Sequence, residues 1–186
     1  MKTKQIAFVL LCLLAFNVKK THAQKGNNQL AIIAEAGFPK DNEVGFGGFL
    51  KGAYGINEDA QLTLQVGVSK FKSSIRIIDQ NGEELDRAIT RTIPVLAGYK
   101  QYFKEFYLEP QVGFGELGGK IDIGGDWSRP SNGAFIWAAG AGYQFNKIDV
   151  GIRYLSAHAT GGESSGIWGN KRLAFVGVHV GYTFNL

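Results

Sequence analysis

The chain is poor in residues that carry redox or metal chemistry, with one cysteine and three histidines among 186 residues. Cys12 lies in an N-terminal segment that we expect to be removed, which excludes disulfides and thiol chemistry in the product. His22 lies in the same segment, and alternation places His158 and His179 on opposite strand faces. No metal site is therefore predicted, and no cofactor is expected.

A long hydrophobic run is also missing. The apolar stretch at residues 6–16 is shorter than the roughly 20 residues that a membrane-spanning helix needs. It follows Lys2 and Lys4, and Ala23 ends a stretch of the kind that precedes a cleavage site. The sequence thus predicts a secretory signal peptide at residues 1–23 and one domain at residues 24–186.

Net charge is absent from the predicted mature chain. Four of the 20 basic residues lie in residues 1–23, where there is no acid, so 16 basic and 16 acidic residues remain. A broad positive field is what nucleic-acid binding requires. The composition therefore argues against a nucleic-acid partner.

What the chain does have is apolar alternation, clearest at residues 173–186. Val176, Val178 and Val180 lie on one face of this stretch, and small or weakly polar residues lie on the other. Tyr182 and Phe184 near its end fit the aromatic girdle of a transmembrane barrel, so the apolar face is predicted to contact outer-membrane lipid. The stretch resembles the C-terminal signal that the barrel assembly machinery recognises, although the usual final Phe is replaced by Leu.

Eight such segments follow one another along the chain. Their ranges are 29–38, 44–55, 60–71, 88–100, 106–116, 133–145, 148–157 and 173–186. Short links alternate with long ones at 72–87, 117–132 and 158–172. The link at 39–43 is the exception, because it lies at the same end as the long ones but is short. An even strand number with short turns at one end and long extracellular loops at the other is typical of bacterial outer-membrane barrels. The prediction is an all-β fold, an eight-stranded antiparallel up-and-down transmembrane β-barrel, with strands three and four extended as a hairpin.

Four stretches carry a family resemblance: IPVLAGYKQYF, FYLEPQVGFG, GIRY and the terminal GYTFNL. Together with the eight segments, they resemble the small porin-family outer-membrane β-barrel proteins of the Bacteroidetes type. The resemblance implies the fold and a place in the cell outer membrane, and little chemistry. The competing fold is a soluble lipocalin-like periplasmic barrel, which would turn the bulky apolar face inward.

Ionisable residues on the inward face form the main candidate site. The predicted lumen charge network consists of Glu35, Lys51, Glu109, Asp149, Arg153 and His179. Buried charges are costly unless they pair, so we expect a structural network with Arg153 as a hub between two carboxylates. The alternative is a narrow channel for small solutes.

One set of residues resembles a nucleophilic triad, namely Ser156, His158 and Glu163. Outer-membrane lipid A deacylases also carry a Ser and a His on a lipid-facing strand, but in the reverse order. A lipid A or phospholipid hydrolase is therefore the second alternative. The favoured interpretation is a monomeric structural or surface-binding protein that acts through its extracellular loops, with no catalysis expected.

Overall fold

The computed structural model describes the backbone of residues 28–40, 43–78, 84–123, 126–128, 131–160 and 172–186. The predicted signal peptide at residues 1–23 lies outside these residues. Nine strands are present in the described part: β1 Asn28–Pro39, β2 Gly45–Gly55, β3 Ala60–Ile78, β4 Glu84–Phe103, β5 Phe106–Ile123, β6 Asp126–Ser128, β7 Ser131–Phe145, β8 Ile148–Ala159 and β9 Arg172–Asn185.

Eight of the strands form a closed antiparallel barrel. Each pairs with its chain neighbour, β5 pairs with β7, and β1 pairs with β9 along a register that includes Ile33↔Gly181 and Glu35↔His179. Closure leaves no free sheet edge around the barrel. The predicted eight-stranded up-and-down barrel is confirmed, and β6 is a short addition that pairs only with β5.

The outer surface of the barrel is a belt of large apolar side chains. Phe46 is 71% exposed, Phe114 66% and Ile152 57%. In every barrel strand the residues predicted to face outward are exposed or half-buried, and those predicted to face inward are mostly buried, so the assignment of faces is confirmed. The alternative of a soluble lipocalin-like barrel is wrong, because that fold would turn the bulky apolar side chains inward, and here they face outward. A belt of this kind is what a barrel presents to the hydrocarbon of a bilayer.

The two ends of the barrel differ. Tight turns join β4 to β5 and β7 to β8, and each contains one residue with positive φ, Lys104 at 65° and Asn146 at 56°. We call this the short-turn end, and the opposite one the long-loop end. No helix of the described residues is long and apolar enough to cross a membrane.

At the long-loop end the sheet continues past its neighbours. The last residue of β3 that pairs with β2 is Lys70, yet β3 runs on to Ile78 against β4. The predicted β3–β4 hairpin extension is confirmed, and its turn, residues 79–83, lies outside the described residues.

The expectation of a loop at residues 117–132 was wrong for most of that range. β5 continues to Ile123 because Leu117 to Lys120 pair with Thr92 to Ile89 of the long β4. β6 then folds back on β5 through the Asp122↔Trp127 register. We refer to the parts of β3, β4 and β5 beyond the β2 edge, together with β6, as the extension.

Candidate functional site

The barrel interior contains all six residues of the predicted lumen charge network. Each is at most 7% exposed although each is polar or charged. The side chains belong to five strands, β1, β2, β5, β8 and β9, whose alternation points them inward. Buried charges of this kind require partners.

Glu109 of β5 pairs with Lys51 of β2 across the interior. Lys51 Nζ donates to Glu109 Oε2 at 2.7 Å, and the hydroxyl of Thr63 donates to Oε1, also at 2.7 Å. The amide of Gln111 donates to the same oxygen at 3.1 Å. Both carboxylate oxygens are therefore satisfied, and the pair ties β2, β3 and β5 together.

Arg153 of β8 pairs with Glu35 of β1. Arg153 Nη2 donates to Glu35 Oε1 at 2.8 Å, and Nη1 lies 3.4 Å from the amide oxygen of Gln111. The guanidinium also lies 4.6 Å from the ring centroid of Phe49. The prediction that Arg153 bridges two carboxylates was wrong, since it contacts one carboxylate, one amide and one ring.

Asp149 of β8 has three partners near the short-turn end. It accepts hydrogen bonds from Lys100 Nζ at 2.8 Å and from the Tyr107 hydroxyl at 2.5 Å. His179 Nε2 lies 3.4 Å from Asp149 and 3.1 Å from the Tyr107 hydroxyl. The ammonium of Lys100 also sits 3.7 Å from the centroid of the Tyr107 ring.

Lys100, Tyr102 and Tyr107 belong to this network, and the sequence-based set lacks them. Alternation in the sequence points both side chains inward. Lys100 follows the outward Tyr99, and Tyr107 lies between the outward Phe106 and Leu108. The hydroxyl of Tyr102 donates to Gln144 Oε1, which also accepts from Lys100. Counting inward tyrosines together with inward charges would have found the whole cluster.

Glycines make room for the interior side chains. A Cβ on Gly177 would lie 2.6 Å from Glu35 Cδ, and one on Gly151 would lie 2.7 Å from His179 Cε1. Real Cβ atoms do not approach other atoms so closely. A side chain at either position would force a neighbour to move, so the small inward residues predicted for a narrow lumen match the bulk of the network.

Little free volume remains between these groups. One cavity, of about 10 Å³, lies among Glu35, Lys51, Glu109 and Arg153, and a second of similar size lies near Lys100 and Asp149. A volume of this size has room for about one water molecule. The ion pairs therefore fill the middle of the barrel.

An apolar layer closes the interior on the side of the long-loop end. Phe71 and Phe175 pack with ring centroids 4.8 Å apart. The same buried cluster also contains Leu96, Leu117, Ile136, Leu155 and Leu173, together with Ala134, Ala138 and Ala157. This apolar plug, as we call it, stands between the charge network and the long-loop end.

A separate polar cluster lies on the outer face of β8 and β9 near the long-loop end. Ser156 Oγ lies 3.0 Å from His158 Nε2 and accepts a hydrogen bond from Arg172 Nε at 3.2 Å. Arg172 Nη2 donates to the Tyr154 hydroxyl at 3.2 Å. Ser156 is fully buried, and Glu163, the predicted third member of a triad, lies outside the described residues. We call Tyr154, Ser156, His158 and Arg172 the rim cluster.

No group of three or more His, Cys, Asp or Glu side chains that could hold a metal ion occurs in the described part of the chain. The interior carboxylates instead form ion pairs with Lys51, Lys100 and Arg153. The arrangement can hold strands together, and it offers no open carboxylate pair to a cation.

Comparison with known proteins identifies the fold. No family model and no curated protein matches the chain. Among solved structures, the attachment invasion locus protein Ail of Yersinia pestis, in complex with the heparin analogue sucrose octasulfate, has a TM-score of 0.59 and 16% identity, covering 87% of this chain and all of Ail. A major outer membrane protein from Thermus thermophilus has a TM-score of 0.57 and 12% identity, covering 84% of this chain and 99% of its own.

Neisserial surface protein A has a TM-score of 0.54 and 13% identity, and the match covers 85% of this chain and 96% of that one. At these identities the likeness concerns the fold alone. The chain therefore has the eight-stranded outer-membrane β-barrel fold that its alternation predicts.

Proposed function

We propose that this chain is a monomeric, non-conducting and non-catalytic barrel of the cell outer membrane that acts as a structural and surface-binding protein. In this proposal residues 1–23 direct export and are removed, and β9 is recognised by the barrel assembly machinery. Membership of the small porin-family barrels of the Bacteroidetes type is the finer form of the same proposal.

The filled interior is the observation that carries this proposal. Paired charges occupy the middle of the barrel, and the apolar plug occupies the side towards the long-loop end. Eight strands enclose only enough room for their own side chains. The described residues leave no room for a solute to cross the lumen, which supports a function on the outside of the barrel and at its long-loop end.

The extension supplies a surface for such a function. Residues 71–78 of β3 lie beyond the β2 edge, and eight residues at about 3.3 Å each reach on the order of 25 Å. Binding surfaces are often carried on loops and strand ends above a rigid scaffold. The extension would project from the cell surface if the long loops are extracellular.

The hydrolase alternative has less support. Ser156 and His158 are at hydrogen-bond distance, but a nucleophile must reach its substrate, and Ser156 has no exposed surface. Its oxygen also accepts a hydrogen bond from Arg172. These contacts favour a structural role for Ser156.

A sulfated glycan is the first ligand class to test at the long-loop end. Ail, which has the same fold, was crystallised with a heparin analogue, and this chain has two exposed lysines, Lys70 and Lys72, at the base of the extension. We expect the purified barrel to bind immobilised heparin. Changing both lysines to Gln should weaken binding about tenfold, as expected when charge-assisted hydrogen bonds to sulfate are lost.

The matched control removes the same charge from the other end. Lys104→Gln combined with Lys147→Gln alters two exposed lysines in the short turns, and in detergent both ends are accessible. This double variant should bind heparin like the parent. Absence of binding by the parent, or equal weakening in the two double variants, would contradict a glycan-binding surface at the long-loop end.

A further inference from the structure

The rim cluster is polar, yet it lies on the face of the barrel that otherwise contacts lipid. Val176, Val178 and Val180 of β9 are each about half exposed in the apolar belt. Arg172 lies on the same face, four residues beyond Val176 towards the long-loop end, which is about 13 Å along the strand. A position just beyond the belt corresponds to the depth of lipid headgroups rather than of acyl chains.

The cluster holds its arginine in a fixed orientation. Nε and Nη2 donate to Ser156 and Tyr154 at 3.2 Å each, and the Tyr154 ring packs against Trp137 with centroids 5.3 Å apart. Ser156 in turn contacts His158. Despite these bonds Arg172 remains exposed, so its guanidinium is positioned by the barrel and presented to the outside.

No carboxylate of the neighbouring strands compensates this positive charge. β9 pairs with β8 and β1, and the acids of these strands are Asp149 of β8 and Glu35 of β1. Both point into the interior, where they pair with Lys100 and Arg153. Another arginine on the outer face near the long-loop end, Arg91 of β4, differs because it forms a 2.6 Å salt bridge with Glu116. Of these two outer-face arginines, Arg172 is the one that has no acidic partner among the described residues.

We propose that the rim cluster binds a phosphate group of lipid A, with Arg172 as the main phosphate ligand. The guanidinium fork matches a phosphate in geometry and charge, and basic clusters at headgroup depth recognise anionic lipid headgroups. The long loops place this end of the barrel in the outer leaflet, where lipid A provides phosphates at that depth. Its acyl chains would pack along the belt below, on Ile152 and Val176, which are 57% and 47% exposed.

This inference rests on the outer-membrane location proposed above, and it is independent of glycan binding. The test uses the full mature chain, folded and delipidated in detergent, with binding measured by native mass spectrometry and by fluorescence of labelled lipid A. The probes are bisphosphorylated lipid A, dephosphorylated lipid A, phosphatidylglycerol and inorganic phosphate. Heparin binding by the same preparation is recorded separately, so that failure of one proposal is distinguishable from failure of the other.

The parent should bind bisphosphorylated lipid A at least about tenfold more tightly than each of the other three probes, because only this lipid combines phosphate monoesters with an anchor larger than a diacyl lipid. Arg172→Gln should lose about tenfold in affinity for bisphosphorylated lipid A and nothing for the dephosphorylated form. The matched control Arg91→Gln should leave both affinities unchanged, since its charge is already paired.

Folding of each variant is checked by its gel shift on boiling. If Arg172→Gln fails to fold, Arg172→Lys provides the same test, with an expected loss of at least about threefold because Lys cannot reproduce the fork. Equal binding of phosphorylated and dephosphorylated lipid A would overturn the proposal. So would equal losses in the Arg172 and Arg91 variants, or binding of phosphatidylglycerol or inorganic phosphate as tight as that of lipid A.

Discussion

At the scale of single residues, the stability of the barrel depends on how its buried charges are paired. Glu35 and Arg153 are at most 6% exposed and are joined at 2.8 Å. Removing one partner leaves the other charge buried and uncompensated, which typically costs about 3 to 5 kcal/mol. We therefore expect Arg153→Ala to lower the free energy of unfolding by about that amount, measured by urea unfolding from lipid vesicles.

A double variant separates the cost of the orphaned charge from the loss of packing. Replacing Arg153 by Met and Glu35 by Leu removes both charges and keeps most of the side-chain volume. Apolar replacement of a buried pair is often neutral or stabilising, so this variant should recover most of the loss. A parent-like stability of Arg153→Ala would mean that Glu35 is hydrated, and the interior would then be wetter than the small cavities allow.

The positions of these residues followed from alternation, but their pairing did not. Period two placed Glu35, Lys51 and Arg153 in one interior, because a strand offers only two faces. Which acid meets which base depends on strand stagger and side-chain reach, which a single sequence does not contain. Glu109 is taken by Lys51 and Thr63, and Asp149 by Lys100 and Tyr107, so Arg153 has one carboxylate left to bind.

At the scale of strands, the predicted segments were found with their faces as expected, and the main error was in length. β5 continues through Gly118 and Gly119 to Ile123. Two glycines interrupt the alternation that marks a strand, and only the backbone ladder to β4 shows that pairing continues there. The extension could therefore be predicted on β3, where turn residues follow an alternating run, and not on β5.

The difference between the two ends predicts which residues are reachable from outside the cell. Lys72 lies exposed at the base of the extension, and Lys147 lies exposed in the turn between β7 and β8. The predicted mature chain has no cysteine, so Lys72→Cys and Lys147→Cys each introduce one thiol. In intact cells a membrane-impermeant maleimide should label Lys72→Cys and leave Lys147→Cys at least about tenfold less labelled, since long loops face outward.

Detergent provides the control for this labelling experiment. Once the envelope is solubilised, both thiols should react to the same extent because both positions are exposed. Labelling of Lys147→Cys in intact cells, with protection of Lys72→Cys, would reverse the orientation of the barrel. The rim cluster would then face the periplasmic leaflet, and its assignment to lipid A would fail with it.

At the scale of the whole molecule, the interior has two parts with different chemistry. Ion pairs and tyrosines fill the middle and the short-turn side, and the apolar plug fills the side towards the long-loop end. Charges pair with charges in one part and rings pack on rings in the other, although Glu35 Oε2 and Arg153 Nε are buried without a hydrogen-bond partner. The outer face repeats this division, because an apolar belt is bordered by the rim cluster and by the Arg91–Glu116 pair. The barrel is thus a sealed scaffold whose accessible polar groups lie on its outside.

A sealed scaffold should carry no steady ion current. Reconstituted into a planar bilayer, the parent should be silent, because an ion crossing it would have to displace both the buried pairs and the plug. The Phe71→Ala, Phe175→Ala double variant removes the two rings that pack at 4.8 Å, and each truncation should cost about 3 to 5 kcal/mol of stability. It should remain silent, because the ion pairs still block the path and leave cavities of only about 10 Å³ between them. Steady current through the parent would contradict the structural interpretation of the lumen, and current through the double variant alone would show that the plug is the only seal.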